Sequence, residues 1–116
     1  MFKFFKKLIL ELVSAEYSPE DLVAQLPVRI QVLKQLPGKD TPNYYLAACQ
    51  KPIIWQGQAI HYVVVGARFQ GVSIKPGVGE IALNVAYVID ESIVRDKAMD
   101  LLKCRYVAVC VANEVS

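Results

Sequence analysis

With 116 residues, 54% hydrophobic and 21% charged, the chain is long enough for one core and too apolar for disorder. A net charge of +2, with no basic block after Lys7, makes no stripe of the kind nucleic-acid binding needs, so no nucleic-acid partner is expected. The apolar surplus in so small a chain points instead to a homo-oligomer or another protein partner that covers surface.

Residues 1–16 carry Phe2, Phe5, Ile9 and Leu12 at helical spacing, with Lys3, Lys7, Glu11 and Ser14 on the other side. The spacing predicts an amphipathic N-terminal helix whose apolar stripe meets the core or a partner subunit. A membrane-surface helix over residues 1–15 ranks second, because of the Phe/Lys mixture. A secretory signal ranks third: Val13-Ser14-Ala15 imitates a cleavage site, but Glu11 interrupts a short apolar run. Residues 17–116 read as the sheet-centred body of the same single domain, 1–116.

Ser18-Pro19-Glu20-Asp21 is a helix start, with a capping hydroxyl, a proline at the first turn and two acids at the positive end of the dipole. Pro27 ends that helix near Gln25 or Leu26. Val28, Ile30 and Val32 then alternate with Arg29 and Gln31, which predicts a half-buried strand, although Leu33 and Leu36 also suit a helix. Residues 37–43 are a loop. Strands follow over 44–49 and 53–55, with Pro52 confined to an edge or a bulge, and Gln56-Gly57 turns the chain.

Residues 59–69 form the centre of the chain, rich in β-branched and aromatic residues and apolar on both faces, as in a strand buried on both sides. After a glycine-rich connection over 71–80, the runs 81–89 and 106–112 share one pattern. Ile81, Leu83, Val85, Tyr87 and Ile89 back onto Ala82, Asn84 and Ala86, and Val107, Val109 and Val111 back onto Ala108, Cys110 and Ala112. The two are expected to be neighbours, with their small faces open to a close approach. Between them, residues 90–103 read as a helix capped by Asp90 or Ser92, with Val94, Ala98, Leu101 and Leu102 buried.

Little in the chain points to chemistry. The three cysteines, Cys49, Cys104 and Cys110, share the chain with a single histidine and have no CxxC spacing, so no metal and no cofactor is expected. Cys49 and Cys110 read as small core hydrophobes, a usage that suits a reducing compartment and hence the cytoplasm. His61 has no carboxylate in its strand to orient it, so no catalytic residue is assigned. Gly77-Val78-Gly79 precedes a strand and lacks the context of a phosphate-binding loop. Asn84 stands inside an apolar run, where a buried amide must find partners or line a pocket. Arg68 is a candidate anion clamp.

These readings predict an α+β domain: a bent, mainly antiparallel sheet of five or six strands, curved towards a barrel, with two N-terminal helices and one helix between the last two strands. The leading functional expectation is a non-enzymatic interaction or oligomeric module, with Phe2, Phe5, Ile9 and Leu12 at the interface. The alternative is a small-ligand module whose pocket, between sheet and helix, uses Trp55, His61, Tyr62, Arg68 and Asn84. An enzyme built on His61 comes third.

Overall fold

The computed structural model describes residues 7–16, 20–38 and 44–115. Six antiparallel strands close into a barrel in plain chain order, the last pairing back with the first. They are β1 (Leu8–Glu16), β2 (Val28–Leu36), β3 (Tyr44–Trp55), β4 (Gln58–Ala67), β5 (Glu80–Val88) and β6 (Cys104–Val115), with one short helix, α1 (Glu20–Gln25), between β1 and β2. The α+β expectation is therefore corrected to a mostly β closed barrel. Of the three expected helices only α1 is seen, ending at Gln25. Among the described residues no helix is long and apolar enough to cross a membrane.

The first correction concerns the N-terminal segment, which is β1 over Leu8–Glu16 and not a helix. Leu8, Leu10 and Leu12 alternate with Ile9, Glu11 and Val13, so the run satisfies a period of two as well as a helical one. Closure decides between them. Leu10 stands opposite Ile30 of β2 on one side and Glu114 of β6 on the other. Coiling this segment into a helix would strip a hydrogen-bonded neighbour from both strands and leave two bare edges. Phe2 and Phe5, half of the predicted apolar stripe, lie outside the described residues.

The second correction concerns residues 89–103, hereafter the strap. Two short 3-10 turns, Glu91–Arg95 and Leu101–Lys103, replace the expected helix. The flanking strands are antiparallel neighbours, and the strap's ends are tied together by Ile89 N–H and Asp90 N–H donating to Lys103 O at 2.9 and 3.1 Å. A straight helix of this length would hold its ends about 20 Å apart. Tertiary partners also take backbone groups that a helix would use. Lys34 Nζ donates to Val94 O and Asp96 O at 2.7 and 2.6 Å, and Met99 N–H donates to Pro37 O at 3.0 Å. Ile93 is the fully buried anchor, while Leu101 and Leu102, predicted inside, are 62% and 90% exposed.

The lumen is filled by inward side chains. A small barrel is narrow enough for side chains to close it, and β5 and β6 divide the space unequally. Leu83 of β5 stands opposite Cys110 of β6, Val85 opposite Ala108 and Ile81 opposite Ala112, all inside. Large groups on one strand thus meet small ones on the next, as tapering interiors require. The shared sequence pattern has opposite meanings on the two strands: the small face of β6 is the lumen, and the small face of β5 is the outside.

β4 is buried on both faces. Val63 and Val65 enter the lumen, while Val64 joins Leu36, Leu46, Val88 and Ile93 in a second apolar cluster beneath the strap. A register shift between Val32 and Lys34 turns Leu36 to that outer side. A larger bulge sets residues 49–52, including Pro52, against His61 alone, since Ala48 pairs with Tyr62 and Ile53 with Ile60. Gln56 and Gly57, at φ 50° and 77°, form the two-residue hairpin turn into β4.

Candidate binding groove on the outer face

The small outer face of β5 and the strap together leave a hollow of about 490 Å³, open to solvent. Ala86 and Asn84 lie on its β5 side and Val64 on its β4 side, with Met99 and Leu101 contributed by the strap and Tyr106 by β6. A second hollow of about 360 Å³ adjoins it, formed with Phe69, Val72 and Ser73 of the following loop. Arg68 and Asn84 line both, so they stand where the two meet.

The ladder places these two residues. Asn84 pairs with Gly66, which has no side chain to set against the amide. Arg68 follows two residues later, its N–H donating to Ala82 O at 2.9 Å, so β4 and β5 stay in register as far as the guanidinium-bearing residue. Residues so related lie on one face at a diagonal of about 7–8 Å, within reach of a long side chain. Neither Arg68 nor Asn84 has an ion-pair or side-chain hydrogen-bond partner among the described residues.

The strap wall is held firmly. Besides the Lys34 contacts, Lys103 Nζ pairs with Asp96 Oδ2 at 2.7 Å, which also raises the Lys103 pKa. Asp90 and Asp100 cap the two turns by accepting from Ser92 N–H and Leu102 N–H, each at 3.0 Å.

The other sequence-selected residues fall elsewhere. Trp55 packs its ring against Tyr87 at 5.7 Å between centroids, and Arg105 lies over the Trp55 ring at 5.2 Å. Tyr62 is half-buried against the outer apolar cluster, and His61 is exposed opposite the bulge. Of the proposed interface set, Ile9 is half-buried and Leu12 is enclosed in the lumen. Arg68 and Asn84 are therefore the two that come together.

Sequence reasoning missed the strap wall, Met99 and Leu101, and Tyr106 of β6. A signal was present: Asp90 and Asp100 are two capping residues within one supposed helix.

Thiol chemistry has little support here. Burial pushes the Cys49 thiol up to about 12 and Cys110 up to about 11, and Cys104, at the groove, is raised to about 11 by burial with help from Asp100. Few thiolates are present near neutrality in such sites. Among the described residues no group of three His, Cys, Asp or Glu side chains is placed to hold a metal ion. Comparison with family models, curated proteins and solved structures finds no match, so what the groove can do is read from its geometry alone.

Proposed function

We propose that the protein is a non-enzymatic binding module that holds a small, largely apolar molecule between the outer face of β4–β6 and the strap. The observation that carries this reading is the open hollow of about 490 Å³ whose walls, Leu101 and Tyr106, remain 62% and 58% exposed. Small-molecule sites occupy about 300–1,000 Å³ and combine apolar walls with a few convergent polar groups, as here. A hollow of about 520 Å³ beside β1–β3 is lined instead largely by charged and amide side chains, Glu11, Arg29, Lys51, Gln25 and Gln50. Three unpaired thiols support a reducing, cytoplasmic setting.

Titration with a neutral apolar dye such as Nile red tests the reading. Wild-type protein is expected to bind it saturably, and Ala86→Trp, which fills the hollow beside β5, to lose binding while keeping its circular-dichroism spectrum. No saturable binding, or equal binding by folded Ala86→Trp, would refute it.

Self-association is the second reading, favoured by Leu102 of the strap and Phe69 of the second hollow, at 90% and 65% exposure. Partnering through a strand edge has less support, because closure leaves each strand with two neighbours. Native mass spectrometry of wild type and Leu102→Asp decides it: a dimer abolished by the aspartate supports self-association, and a monomer in both removes it.

A further inference from the structure

We infer that the groove's ligand is a monoanionic amphiphile, a carboxylate on an apolar chain, with its charged end on Arg68 and Asn84 and its chain running beneath the strap. The inference rests on the ligand-binding reading above and adds the class of ligand.

Charge is the first ground. Across the residues lining the two adjoining hollows, Arg68 is the one fully charged side chain, and no aspartate or glutamate is among them. A different hollow, beside β1, β2 and β3, mixes charges of both signs: Glu11, Arg29 and Lys51 line it, and Arg29 is paired with Glu11 at 2.9 Å. Lys34 and Lys103 are likewise occupied with the strap, and Arg105 with Trp55. Arg68 faces a concave apolar surface with its charge uncompensated among the described residues.

Geometry is the second. A guanidinium presents a planar fork that matches a carboxylate through two parallel N–H donors. The Asn84 amide, half-buried on the same face, can add an N–H donor from the side, and that donor has no side-chain acceptor among the described residues. One guanidinium and one amide suit a single negative charge.

The direction of the chain follows from the walls. From the junction of the hollows, the surface formed by Ala86, Val64, Met99 and Leu101 is apolar, whereas the opposite hollow offers Gln70 and Ser73. The apolar body therefore lies on the strap side.

Displacement of bound Nile red by decanoate and by its neutral isostere decanamide, both below their micelle concentrations, tests the assignment. Decanoate is expected to displace the dye from wild type at about tenfold lower concentration than decanamide, as a charge-assisted pair warrants. Arg68→Gln is expected to erase that preference, read as the ratio of the two displacing concentrations on that variant, and Arg68→Lys to keep part of it. Equal displacement of dye from wild type by the two compounds would overturn the anionic assignment and leave the groove reading intact. Failure of wild type to bind the dye at all would remove the groove reading itself. Tighter binding of an apolar peptide with a free carboxyl terminus than of decanoate would overturn the assignment to a small amphiphile.

Discussion

Replacing Tyr87 by phenylalanine removes one oxygen atom from the barrel interior and keeps the ring that packs on Trp55. Tyr87 is 0% exposed, and its hydroxyl is the buried side-chain polar atom without a hydrogen-bond partner among the described residues. Burying an unsatisfied hydroxyl costs about 1–3 kcal/mol on the protein mutational scale. Deleting it returns part of that cost. The space left beyond Cζ is small, because only the hydroxyl oxygen is lost, so the expected gain is about 1 kcal/mol. For a chain of this size that corresponds to a rise in melting temperature of about 4 °C. Urea unfolding followed by Trp55 fluorescence is the assay, since the only tryptophan of the chain lies 5.7 Å from the altered ring. The midpoint is expected to rise with the slope unchanged. A variant destabilised by about 1 kcal/mol or more would show that the hydroxyl is hydrogen-bonded, and would refute the reasoning.

Alkaline pH is expected to weaken the fold. Burial raises Cys49 to about 12, Cys104 and Cys110 to about 11, and Tyr87 to about 12, above the ordinary values of 9.0 for thiols and 10.0 for tyrosine. In the unfolded chain these groups ionise first, so stability is level below about pH 9 and falls as pH rises towards 11–12. Cys110→Ala should show a shallower decline in urea midpoints between pH 8.5 and 10.5, and an unaltered decline would contradict the assignment. Lys34→Met removes the ammonium that bridges Val94 O and Asp96 O, at an expected cost of about 1–3 kcal/mol. Hydrogen exchange should quicken at the strap amides of Asp96 and Met99 well before those of β4; uniform protection would argue against a pinned strap.

Much of the site was readable as residues but not as a place. Arg68 and Asn84 attract notice in the sequence because a cation and an amide interrupt apolar runs. Their meeting requires the β4–β5 register, in which Gly66 lies opposite Asn84. The strap wall was hidden for another reason. Asp90 to Lys103 has adequate helical propensity, and the hydrogen bonds that break the helix come from Lys34 and Pro37, more than fifty residues earlier. Tertiary partners override such local preferences.

The sequence by itself determined the features that depend on near neighbours. The alternation of Val28, Ile30 and Val32, the apolar character of both faces of β4, the Gln56-Gly57 turn and the short helix ending before Pro27 all follow from local pattern and backbone chemistry, and Pro52 narrowed its place to an edge or a bulge. Tertiary structure decided the rest. Residues 8–16 satisfied both a helical and a strand period, and barrel closure chose the strand by giving both its edges a partner. The small faces of β5 and β6 looked alike until closure turned one inward to fill the lumen and the other outward to form the groove. Alternation shows that a strand has two faces, but only the path of the closed sheet determines which of them is inside.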